Sequence, residues 1–175
     1  LVQAAPPPTI DPYDNGSETT YFAFKAAQVG IERIYLRILE GEPLTDDQLN
    51  LHTYSTQYLG NYKFDDLALS NLISAIELRE RIPELLKKSN QKEAFLSSAL
   101  QLIRDYYRVH ELIANNEDLA GLEKEQQEFR SFVESFSKQG LLSQENLKIT
   151  EDIDLAFNDA IQASLKNPFK RKLLY

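Results

Sequence analysis

Cysteine is absent from this sequence, which excludes disulfides and thiolate chemistry. Glycine is scarce and scattered, mostly where helical patterns stop, so no loop of the kind that cradles phosphates is present. No serine sits in a G-x-S-x-G elbow. No apolar run approaches the ~18 residues that a transmembrane helix needs. Positive charge is in deficit: 19 Lys and Arg stand against 27 Asp and Glu, a formal charge of -8. That balance argues against a nucleic-acid partner, because such binding rests on neutralising phosphates. There is no initiator methionine, and Leu1-Val2-Gln3-Ala4-Ala5 resembles the end of a signal peptide as much as the edge of an excised segment. The expectation drawn from it is an extracytoplasmic protein: periplasmic, lipid-anchored or secreted. Asn15-Gly16-Ser17 fits the N-glycosylation pattern, a match that often arises by chance.

With 42% apolar residues over 175 positions, the chain can form one domain that buries roughly 70% of its unfolded surface without a metal or disulfide staple. Residues 1–16 carry Pro6, Pro7, Pro8, Pro12 and Gly16 and read as a flexible arm. Residues 17–167 read as a single helical domain, and 168–175 as a basic, apolar tail. The fold class expected is all-α, a mainly antiparallel up-and-down bundle of five to six helices joined by short connections. No fixed-period repeat of the solenoid kind is present.

The first helix is expected from Glu18 to Glu40, with Phe24, Ala27, Ile31, Ile34 and Ile38 on one face. Its small residues Ala23, Ala26, Ala27 and Gly30 invite close approach by a neighbour. Thr45-Asp46-Asp47-Gln48 reads as a capping box opening the second helix, with Leu44 as its hydrophobic staple on Leu49. That helix should end near Gly60. The third is expected to begin near Asp65, with Pro83 ending or kinking it. The fourth should start at Asn90 and carry Leu96, Ala99, Ile103, Tyr106, His110 and Ile113. The fifth covers Leu119 to Lys138, with Gly140 as its stop. The sixth is expected to begin after Thr150 and close at Asn167-Pro168.

The acid pairs Asp46-Asp47, Asp65-Asp66, Glu117-Asp118 and Glu151-Asp152 each fall in an expected first helical turn. There unsatisfied amides and the helix dipole favour carboxylates without any metal. Lys87-Lys88, Lys138 and Lys166 mark the opposite ends. His110-Glu111 fails the zinc pattern H-E-x-x-H because position 114 is alanine, and Tyr107 stands where the di-iron pattern needs glutamate. The other histidine, His52, lies on the core side of the second helix. Arg33 with Arg37, and Arg104 with Arg108, could each hold an anion, but more often pair with acids on neighbouring helices. No catalytic residue, metal or cofactor is implied.

Two features point to a surface instead. Tyr54, Tyr58 and Tyr62 recur at four-residue steps on a flank of the second helix, where tyrosine suits a wet interface or a bundle's boundary layer. Phe169, Lys170, Arg171 and Lys172 open the tail, whose composition opposes the acidic body. It could clamp back on that body or touch an anionic membrane. The function expected is therefore a non-enzymatic protein–protein interaction module with another protein as partner. The alternative is a small-molecule or lipid carrier with a cavity inside the bundle.

Overall fold

A computed structural model describes residues 18–61, 74–109 and 119–166, with the side chains at 18–24, 27, 57–61 and 109 left aside. Six helices account for nearly all of them: α1 Glu18–Leu39, α2 Asp46–Asn61, α3 Ala75–Lys88, α4 Lys92–Val109, α5 Leu119–Lys138 and α6 Gln144–Lys166. No strand occurs among the described residues, and the fold is the all-α bundle expected. Side-chain contacts give the helix directions. Pairs between α5 and α6 run in opposite order, Gln126 to Asn158 and Arg130 to Asp154. Pairs between α2 and α4 run in the same order, Leu44 to Ser98 and His52 to Asp105. So do those between α4 and α6, Glu93 to Asn146 and Tyr107 to Phe157. Helices α2, α4 and α6 therefore point one way, as alternating up-and-down connection requires.

Helix α4 is the axle. It packs on α1, α2, α3 and α6, while α5 packs on α6. Its apolar residues Phe95, Leu96, Ala99, Leu100, Leu102 and Ile103 are essentially inaccessible, and even its polar side is partly covered, with Ser98 and Asp105 buried. A helix whose polar side also enters the core is stable only when neighbours meet those polar groups. Ile31, Ile34 and Ile38 of α1 supply one wall and Leu78, Ile82, Leu85 and Leu86 of α3 another. Phe129, Ile153 and Phe157 close the α5–α6 side, where the three rings of Tyr107, Phe157 and Phe129 succeed one another at 4.4 and 6.0 Å.

The helix ends follow local chemistry. The capping box is formed: the Gln48 amide donates to Thr45 Oγ1 at 3.2 Å and the Thr45 amide to Gln48 Oε1 at 2.9 Å. Leu44 is buried beside it and Leu49 packs on the same core. Ser74 caps α3 by accepting from the Glu77 amide. Pro83 does not end α3; it sits exposed within the helix, which continues through the buried Leu85 and Leu86 to Lys88. Between α3 and α4 the Lys92 ammonium donates to the carbonyls of Leu86, Ser89 and Lys87 at 2.8, 3.1 and 3.3 Å. One cation thus satisfies three orphan acceptors at the negative end of the α3 dipole. Helix α4 then starts at Lys92 rather than Asn90.

Helix α6 corrects the sequence reading. It begins at Gln144, not after Thr150, because Ser143 is its cap and accepts from the Asn146 amide at 3.1 Å. Thr150 instead turns its hydroxyl onto the Leu147 carbonyl at 2.6 Å, the local bond that threonine makes inside a helix. Glu151-Asp152 consequently lies in mid-helix rather than in a first turn, so the dipole does not account for it. Asp46-Asp47 does occupy the first turn of α2, and Lys87, Lys88, Lys138 and Lys166 occupy last turns. The helix that contains Pro83 starts at Ala75 rather than near Asp65, because the extended Ser74 is its cap; the pairs Asp65-Asp66 and Glu117-Asp118, and His110, lie outside the described residues. No described helix is long and apolar enough to cross a membrane.

Two glycines behave oppositely. Gly41 adopts φ 77° after α1, its amide bonding Ile38 and the Glu42 amide bonding Arg37, the two bonds of a Schellman motif. A Cβ there would also stand 3.2 Å from the Leu85 carbonyl oxygen. Gly30 sits within α1, and a Cβ would meet Leu51 Cδ2 at 3.6 Å, an ordinary contact. Gly41→Ala is expected to cost about 1–2 kcal/mol. Gly30→Ala is expected to gain up to about 1 kcal/mol through helix propensity. Urea unfolding of the two variants checks both signs.

Candidate functional site

Two arrangements could carry function. The first is a buried polar cluster shared by α1, α2 and α4. His52 projects from the core side of α2, as its sequence position suggests, and is 1% exposed. Its Nδ1 lies 2.9 Å from Asp105 Oδ2 on α4, and its Nε2 lies 3.3 Å from the Tyr35 hydroxyl on α1. A carboxylate only accepts, so Nδ1 carries the proton and Nε2 accepts from Tyr35. Thr53 Oγ1 donates to the same Asp105 oxygen at 2.8 Å, and the Thr56 hydroxyl stands 3.4 Å from Nε2. The Arg104 guanidinium approaches the other oxygen at 4.0 Å.

An aspartate–histidine–hydroxyl order is the template of a proton relay, but its chemistry needs a hydroxyl that loses its proton and a route for substrate. Burial, the Asp105 carboxylate and neighbouring Tyr106 instead push the Tyr35 hydroxyl well above the usual phenol range, so it stays a neutral donor. Tyr35, His52 and Asp105 are all sealed beneath the helices. The cluster acts as a three-helix clasp. A second pair of contacts ties α5 to its neighbours: the Tyr107 hydroxyl on α4 donates to Glu125, and Arg79 on α3 reaches the half-exposed Glu128 at 3.1 Å. Burial first, and Glu125 second, raise the Tyr107 hydroxyl in the same way. Among the described residues no group of three or more His, Asp or Glu could hold a metal ion.

The second arrangement is an apolar groove of about 670 Å³ between the C-terminal half of α5 and the N-terminal half of α6. Phe129, Val133 and Thr150 form its floor, and Leu147 and Leu155 its α6 wall. These leucines are 38% and 59% exposed, unlike Ile149 and Ile153 on the core side of the same helix. The groove exists because Val133, Ser137 and Thr150 are too small to fill the space between the two helices. Charged side chains rim it. Arg130 clamps Asp154 through two bonds of 2.8 and 3.0 Å, and Lys138 pairs with Glu134 at 3.1 Å. The Arg130 bonds hold the Asp154 carboxyl below the usual range despite partial burial; Arg130's charge and a bond from Gln126 act in the same sense.

The residues singled out from sequence are distributed as follows. Tyr54 is 45% exposed on α2. The side chain of Tyr58, all of Tyr62, and Phe169, Lys170, Arg171 and Lys172 lie outside the described residues. Of the arginine pairs, Arg108 reaches Asp152 on α6 at 3.5 Å, and Arg37 donates to the Pro43 carbonyl at 2.8 Å. The groove was missed by sequence because Leu147 precedes the expected start of the sixth helix. With α6 starting at Gln144, Leu147 and Leu155 stand two turns apart on one face, outside the buried stripe. Comparison with protein-family models, curated proteins and solved structures returns no match.

Two outcomes follow from these geometries. Asp105→Ala leaves the His52 Nδ1–H buried without its acceptor and should cost about 2–4 kcal/mol, read by chemical denaturation. Asp154 has a lowered folded pKa, so its stabilisation is present above the ordinary aspartate value and lost as pH falls through the folded one. Wild-type protein should therefore lose more stability on acidification than Asp154→Asn, as paired thermal melts would record.

Proposed function

We propose that this chain is a non-enzymatic interaction module that binds an amphipathic helix of another protein in the α5–α6 groove. The observation that carries this reading is the exposure of Leu147 and Leu155 on the wall of an open apolar groove. Eight residues of helix separate them, about 12 Å at 1.5 Å per residue. A partner helix with apolar residues at i, i+4 and i+7 presents a stripe of that length, which is how helix-in-groove recognition works. The rim names the partner's flanks. Three carboxylates, Glu134, Glu151 and Asp154, face two cations, Arg130 and Lys138, and both cations already hold an acid. Glu151 is left to attract a basic side chain, and the chain as a whole is acidic. The sealed state of the Tyr35–His52–Asp105 cluster supports binding over catalysis.

A carrier role is favoured by one fact, the groove's volume, which falls in the range that small ligands occupy. A fluorescent helical peptide of leucine and lysine, with leucines at i, i+4 and i+7, separates the two. Anisotropy titration should show binding that Leu155→Glu weakens at least tenfold while the melting temperature moves by only about 2 °C. The added glutamate would strengthen non-specific attraction to a basic peptide, so a loss reports the groove. Unchanged affinity in Leu155→Glu removes the groove as the docking face. Uptake of a long-chain fatty acid without peptide binding favours the carrier.

A further inference from the structure

The partner chemistry that the groove asks for, apolar side chains flanked by positive charge, occurs in this chain itself. Residues 169–175 read Phe-Lys-Arg-Lys-Leu-Leu-Tyr. We infer that this tail is a cis occupant of the α5–α6 groove, lying over Leu155 and competing with an incoming helix. The inference rests on the reading of the groove as a docking surface.

Reach permits the contact and limits it. Helix α6 is described to Lys166, and Leu155 lies eleven residues earlier, about 16 Å back along the axis. Pro168 stands two residues past Lys166, and a proline disfavours helical backbone at the residue before it, so the sequence does not favour carrying the helix further. Leu173 is seven residues past Lys166 and can span about 23 Å when extended. It reaches Leu155 but not Leu147, which stands about 28 Å back. The tail can therefore cover the Leu155 end of the groove and leave the Leu147 end open.

Charge favours the same placement. Lys170, Arg171 and Lys172 are three of the chain's cations, and the tail has no acid. The remainder holds 16 basic residues (19 less these three) against 27 acidic ones. Between Leu155 and the helix end, α6 adds the exposed Asp159, and the rim adds Glu151 and Asp154. A tethered segment needs only weak intrinsic affinity, because linkage over so short a span gives an effective concentration on the order of millimolar.

The absence of cysteine makes the test clean in the full chain. Leu155→Cys with Leu173→Cys places one thiol in the groove wall and one in the tail. Leu36→Cys with Leu173→Cys is the control, since Leu36 is as exposed but on α1. Under mild oxidation the first pair should close to a monomeric disulfide at least tenfold faster than the control. High salt should slow it, and the leucine–lysine peptide should slow it by competition. Closure no faster than the control, in protein with an unaltered circular dichroism spectrum, overturns the tail assignment. That result leaves the groove reading standing if the peptide still binds; loss of peptide binding in the separate titration is what removes the groove.

Discussion

Helix α4 has almost no face to give to solvent, and the rest of the bundle is arranged to cover it. Phe95, Leu96, Leu100, Leu102 and Ile103 are fully buried, and each contributes on the order of 2 kcal/mol by leaving water. Two polar groups go into the core with them, and both are met. Ser98 accepts the Leu44 amide at the entry to α2, and Asp105 accepts His52 about two turns further along the same face. These bonds lie 54 and 53 residues apart in sequence and fix the register of α2 along α4. An unmatched buried carboxylate costs far more than a matched one gains, so the pairs select this register over slipped alternatives.

The cover is uneven. Helices α1, α2, α3 and α6 lie directly on α4, whereas α5 packs on α6, reaches the axle through Tyr107 and reaches α3 through Arg79. The inner face of α5 is well filled at Leu122, Phe129 and Phe136. Among the described residues, only α5 and α6 line the gap at its Val133 and Ser137 flank. The groove is thus a consequence of topology as much as of composition. Chemistry-bearing groups are drawn inward by α4, and apolar surface is left outward on α6. That separation is the physical basis for reading the molecule as a binder.

Much of the fold was legible because helical signals are local. The apolar period of α1, the Thr45 capping box and the stop of α5 before Gly140 all act within a few residues, and each is where the pattern places it. The start of α6 was not legible, since Ser143 and Thr150 are equally good caps on paper and only packing decides between them. Asn146, Ile149 and Ile153 are buried on one face, which carries the helix back to Ser143. The Glu151-Asp152 pair was misassigned for the same reason. The His52–Asp105 clasp leaves no sequence trace, because its partners share neither element nor spacing. The groove depended on the α6 boundary, so one misplaced cap hid both the second leucine and the surface it builds.

The proposed docking face is the α5–α6 groove, on the outside of a bundle whose described interior is packed. Methyl-resolved NMR of the full chain, titrated with the leucine–lysine peptide, tests it directly. The predicted result is a set of shift changes confined to Val133, Leu147, Thr150 and Leu155, with Ile31, Leu100 and Leu102 unmoved. Changes centred on Thr53 and Thr56 beside the exposed Tyr54, or spreading through the methyls of α4, would contradict it.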